Sequence, residues 1–132
     1  MTYSFIARGV AVGEFEEFET YLVALRDDPQ DPQDEFQIQH SLFQDEQDEE
    51  LGMDTYCIVL SGGTTHYGGI TSCILRHHVL EIELNDQARA MLEIERIRVE
   101  LQLDAARLAV LRDGLNHVLK DDRDEPAVLI LE

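Results

Sequence analysis

The side chains best suited to chemistry here are two cysteines, five histidines and a large excess of carboxylates. A zinc site would have to draw on Cys57, Cys73, His66, His77 and His78. None of these has the C-x₂₋₄-C or H-x₃₋₅-H spacing of structural zinc sites. A calcium loop needs oxygen ligands at alternating positions and a glycine at the sixth. Counted from Asp45 the sixth residue is Glu50, and counted from Asp27 it is Pro32, so both templates fail. A nucleophile needs a base beside it. Cys57 instead sits between Tyr56 and Ile58 in an apolar run, where a thiol packs as a small hydrophobe. A hairpin centred near Thr65 could set Cys57 opposite Cys73. Ser61-Gly62-Gly63 and Gly68-Gly69 are turn glycines and form neither G-x-G-x-x-G nor a P-loop. His77-His78 reads as a solvated tight connection, and His117 as peripheral on a helix. Paired carboxylates abound only because acids abound. The residues predict no catalytic group, cofactor site or metal site, and no enzyme.

What remains is charge. The chain carries 28 Asp+Glu against 10 Lys+Arg, a formal charge of −18. That balance excludes direct nucleic-acid binding, which needs a basic footprint, and disfavours anionic membrane surfaces. It favours a basic protein partner, because an acidic field steers positive partners and speeds encounter. Eleven acids lie between Asp27 and Asp54, with no Lys or Arg between Arg26 and Arg76. The densest run gives the candidate contact residues: Asp45, Glu46, Asp48, Glu49, Glu50 and Asp54. The plain alternative is a solvated acidic loop. Two cysteines are not a disulfide framework. With no run of ~18 apolar residues and no signal-like N-terminus, a cytoplasmic protein with reduced thiols is expected.

These residues must be positioned by one domain, 1–132, whose length suits a single core. Residues 3–12 read as a first strand, 14–19 as a turn or strand edge, and 21–25 as a second strand ending before Asp27-Asp28-Pro29. Phe36 and Ile38 share a face of a short strand. The acidic segment 44–50 is a loop or one helical turn, with Gly52 as a stop. Residues 55–60 and 70–76 are strands. Leu80, Ile82 and Leu84 alternate with Glu81 and Glu83, and Ile97, Val99, Leu101 and Leu103 with Arg98, Glu100 and Gln102, the pattern of half-buried strands. Asn85-Asp86 caps a short helix near 86–92, and Asp104 caps a longer one, about 105–120. Leu108, Leu111, Leu115 and Val118 form its apolar stripe. Gly114 inside it costs about 1 kcal/mol relative to alanine and implies a close approach. Residues 127–131 are apolar enough for a central or well-covered strand.

The order predicts an α+β domain: a mainly antiparallel sheet of about six to eight strands, covered on one side by the amphipathic C-terminal helix. A small barrel-like all-β fold with peripheral helices is the second choice.

One stretch carries a resemblance. It comprises Phe36-x-Ile38-Gln39-x-Ser41-Leu42, then Asp45-Glu46-Gln47-Asp48-x-x-Leu51-Gly52-Met53-Asp54-Thr55-Tyr56-Cys57, then Tyr67-Gly68-Gly69-Ile70. It resembles the tenth immunity-protein family of bacterial polymorphic toxin systems, densest from Phe36 to Ile70 and looser to Leu103. The resemblance implies a small cytosolic protein that binds a cognate toxin domain and blocks it, without catalytic residues. An acidic interaction or regulatory domain with no toxin partner is the alternative. Within the stretch, Gly52 is expected to stop the backbone, and Leu51 and Tyr56 to lie in the core.

Overall fold

A computed structural model describes residues 2–15, 20–28, 30–31, 33–41, 56–61, 63–119 and 128–131. Among the described residues, ten strands form two five-stranded sheets, with two helices. The first sheet contains β1 (Thr2–Ala7), β7 (Ile70–Arg76), β8 (Val79–Leu84), β9 (Arg96–Leu101) and β10 (Val128–Leu131), in the order β1-β9-β8-β7-β10. The second contains β2 (Gly9–Phe15), β3 (Thr20–Arg26), β4 (Glu35–Ser41), β5 (Cys57–Leu60) and β6 (Thr65–Tyr67), in sequence order. Helix α1 spans Asp86–Leu92 and α2 spans Ala105–Val118. The α+β class and C-terminal helix expected from the sequence are present. The strands are more numerous than expected and divide between two sheets.

The expected first strand breaks at Arg8. β1 pairs parallel with β9, and β2 pairs antiparallel with β3, so one extended segment feeds both sheets. The second parallel pair is β10 with β7. β10 is therefore an edge strand, not a central one, and Val128 is exposed. Its apolar character comes from Leu129 and Leu131, which pack against the core.

Alternation sets both inner faces. Across the second sheet, Val10, Leu25, Phe36 and Leu60 form one row and Val12, Val23, Ile38 and Ile58 the next. Across the first, Phe5, Val99, Leu80 and Leu75 form a row beside Ile97, Ile82 and Cys73. These side chains, with Leu111, Leu115 and Val118 of α2, make one hydrophobic cluster. Burying each large aliphatic side chain contributes about 1.5–3 kcal/mol.

The capping predictions are met. Asn85 Oδ1 accepts from Ala88 N at 2.8 Å, and Asp104 Oδ1 from Arg107 N at 2.8 Å. Three of the four stripe residues of α2 are buried; Leu108 is half-buried. Gly114 is also buried, against β2 and β3, which is the close approach its position implied. The Cys57–Cys73 pairing is not formed. The β5–β6 hairpin turns before Thr65, which sets Cys57 opposite Tyr67, while Cys73 lies in the other sheet opposite Ile82.

Candidate interaction surface

Asp45, Glu46, Asp48, Glu49, Glu50 and Asp54 lie outside the described residues, as do Leu51 and Gly52. The strands flanking them are described, and they fix where the segment leaves and re-enters the fold. β4 ends at Ser41, whose row in the sheet is Phe15, Thr20 and Ser41. The chain returns at Tyr56, 6% exposed, as the core role expected for it requires. The Tyr56 hydroxyl accepts a hydrogen bond from Ile70 N at 2.9 Å, and its carbonyl accepts one from Gly68 N at 2.9 Å. The return point is thus pinned between the two sheets.

Strands β2 to β5 are sequential and antiparallel, so the β2–β3 and β4–β5 connections emerge at the same end of the sheet. Helix α2 finishes there too. Its His117 ring stacks on Tyr21 of β3, with centroids 4.1 Å apart and planes at 31°. Tyr21 in turn lies opposite Glu14 of β2 and His40 of β4. Partial burial, then the charges of Asp113 and Glu14, push the Tyr21 hydroxyl pKa up. Three connections therefore leave this one end: residues 16–19, 42–55 and 120–127. They contain three, six and four of the chain's 28 acids, against Lys120 and Arg123. The sequence singled out only the second. The co-location of the other two depends on strand order, which a run of four sequential antiparallel hairpin strands could have signalled.

The other candidates for chemistry are occupied by structure. His66 Nδ1 lies 3.1 Å from the Gly68 carbonyl, and its ring packs beneath Gly69. Burial pushes the Cys73 thiol up to about 12, so it stays protonated. Burial also raises Cys57, partly offset by a backbone hydrogen bond from His66. Both thiols are unbridged. His77 and His78 are exposed and occupy the two central positions of the β7–β8 turn, at φ 50° and 63°. Among the described residues no three His, Cys, Asp or Glu side chains are grouped closely enough to hold a metal ion. No helix among them is long and apolar enough to cross a membrane.

The family model described as Immunity protein 10 matches residues 6–109. The chain belongs to that family. The match runs from Ile6 in β1 into the first turns of α2, so it takes in both sheets as well as the acidic segment. It is wider than the stretch where the sequence motifs are densest. Comparisons with curated proteins and with solved structures find no match. Membership of the Immunity protein 10 family brings a toxin as the expected kind of partner; the fold brings the strand and helix ends that flank the acidic connections to one end of the second sheet.

Proposed function

We propose that this protein is a cytoplasmic immunity protein. It binds a cognate toxin domain and neutralises it by occlusion rather than by catalysis. Asp45, Glu46, Asp48, Glu49, Glu50 and Asp54 supply the contact surface. The observation that carries this reading is the exit of three acidic connections from one end of the second sheet. The family supports a toxin as the partner. An acidic surface speeds encounter with a basic partner and gives an association rate that falls with salt. A toxin whose active site binds phosphate backbones would present such a basic surface, and the carboxylates would take the place of the phosphates.

Co-expression with the toxin domain encoded beside it tests the reading. Rescue of growth, with a complex that co-elutes on a sizing column, is the expected result. Continued killing with no complex would leave an acidic interaction domain without a toxin partner.

A further inference from the structure

The second sheet begins with an edge strand that nothing blunts. Among the described residues no strand pairs with the outer side of β2. The hydrogen bond from Asp27 N to the Asp34 carbonyl fixes the alternation along β3 and β4, so Leu22, Ala24 and Arg26 turn their backbone groups toward β2. Arg8 N donates to the Arg26 carbonyl at 2.9 Å, as that alternation requires. Gly13, Ala11 and Gly9 are the register partners of those three residues. The N–H and C=O groups of Val10 and Val12 therefore point outward. Native proteins blunt such an edge with a charge, a proline or a very short strand. β6, the other edge of this sheet, has three residues. β2 has seven, with neither charge nor proline from Gly9 to Gly13. Val110 of α2 adds apolar surface beside it. It is 45% exposed and lies three residues after Arg107 and four before Gly114, on their flank of the helix. Arg107 lines a surface groove with Val10 and Ala11, and Gly114 abuts Val12.

The strand also reads the same in both directions: Gly9-Val10-Ala11-Val12-Gly13, with Arg8 before it and Glu14 after it. β1 and β10, the edges of the first sheet, have no such symmetry. We propose that β2 is the interface of a homodimer, in which two copies join edge to edge, antiparallel, about a two-fold axis at Ala11. A two-fold contact must be self-complementary, each residue meeting the partner that meets it in return. In this register Val10 and Val12 exchange backbone hydrogen bonds with Val12 and Val10 of the second copy. Arg8 comes opposite Glu14 of the second copy at each end of the strand pair. Ala11 meets its own counterpart in a non-hydrogen-bonded pair, where Cα atoms stand about 4.5 Å apart. Its methyl group permits that approach, and glycine faces glycine two residues away on either side. A register shifted by two residues loses both charge pairs. The proposal goes beyond the toxin-binding reading and does not depend on it.

Sedimentation of the full chain over a concentration series, at low salt and in about 0.5 M salt, tests the proposal. A dimer is expected, tighter at high salt because two chains of charge −18 repel. Amide exchange at Val10 and Val12 should slow as it forms. Arg8 and Glu14 are exposed, so the fold should tolerate changes at either. Arg8→Glu and Glu14→Arg should each weaken the dimer about fivefold, as exposed ion pairs become like-charge pairs. Both changes together should restore it. Glu14→Arg also reduces the negative charge, so repulsion alone would tighten the dimer. Ala11→Lys sets like charges directly opposite and should leave a monomer. A monomer up to about 1 mM in high salt, a dimer tightened by Glu14→Arg, or one indifferent to Ala11→Lys would each overturn the proposal. Protection of Val10 and Val12 only when toxin is added would overturn it too, and would give the edge to a strand of the toxin.

Discussion

Gly114 of α2 lies so close to Val12 of β2 that a β-carbon built on it would stand 2.7 Å from Val12 Cγ1. Val23 Cγ2 of β3 would be 3.0 Å away. The helix therefore sits on the second sheet at a distance only glycine permits. In an exposed helix Gly→Ala stabilises by about 1 kcal/mol. Here the methyl group must push two β-branched side chains that have one strongly preferred rotamer each, a cost of about 1–3 kcal/mol. Gly114→Ala should thus lower stability by about 1 kcal/mol in urea denaturation. A gain of similar size would show that α2 can move off the sheet freely.

The β7–β8 turn predicts a change of the opposite sign. His77 and His78 both have positive φ, the requirement of a two-residue type I′ turn, where Asn-Gly is preferred. Left-handed backbone at a non-glycine residue costs of order 1 kcal/mol. The double change His77→Asn, His78→Gly should raise the unfolding midpoint by about 1 kcal/mol equivalent. No change would mean that the histidines make compensating contacts.

Cys73 sets an alkaline limit. Its ordinary pKa is 9.0, and burial raises it to about 12 in the folded protein. Below pH 9 the thiol is protonated in both states and contributes no pH dependence. Above pH 9 the unfolded chain releases the proton while the folded chain keeps it, so stability falls by up to about 1.4 kcal/mol per pH unit. Tyr3 and Tyr21, both raised mainly by burial, add the same sign above pH 10. Cys73→Ala should therefore flatten, without abolishing, the decline between pH 9 and 11 in urea denaturation. An unchanged slope would assign the whole decline to Cys57 and the tyrosines. Thiol labelling gives a second readout: half-exposed Cys57 should react first, and Cys73 only as the protein unfolds.

Much of this fold is legible locally, and the illegible part has one physical cause. Leu80, Ile82 and Leu84, or Ile97, Val99 and Leu101, announce strands because period two is a property of the strand itself. Asp104 announces α2 because a cap bonds within its own turn. Strand partners have no such local signature. Nothing in the run Tyr3 to Val12 says that it changes sheets at Arg8, and nothing in Val128 to Leu131 says that its neighbour is β7. The same limit applies to the candidate surface. Asp45 to Asp54 is visible as composition, but only strand order puts the end of β2, the start of β3, the end of β4 and the start of β5 at one end of the sheet.

The two ends of the second sheet supply the sharpest test of the partner surface. Asp45→Lys with Glu46→Lys shifts the charge of the β4–β5 connection by four units, two negative charges lost and two positive gained. Asp28→Lys with Asp31→Lys makes the same shift in the β3–β4 connection, at the opposite end. Both pairs shift the net charge from −18 equally, so any effect of overall charge is common to them. If the acidic connections face a basic toxin, the first pair should slow association about tenfold or more at low salt. It should also flatten the dependence of the rate on ionic strength, because fewer charges remain to be screened. The second pair, a strand length away, should change the rate by less than about threefold, since the screening length is about 8 Å. Stopped-flow association at several salt concentrations separates the cases. Equal effects of the two pairs would mean that the toxin responds to net charge alone, and residues 45–54 would then be a solvated loop.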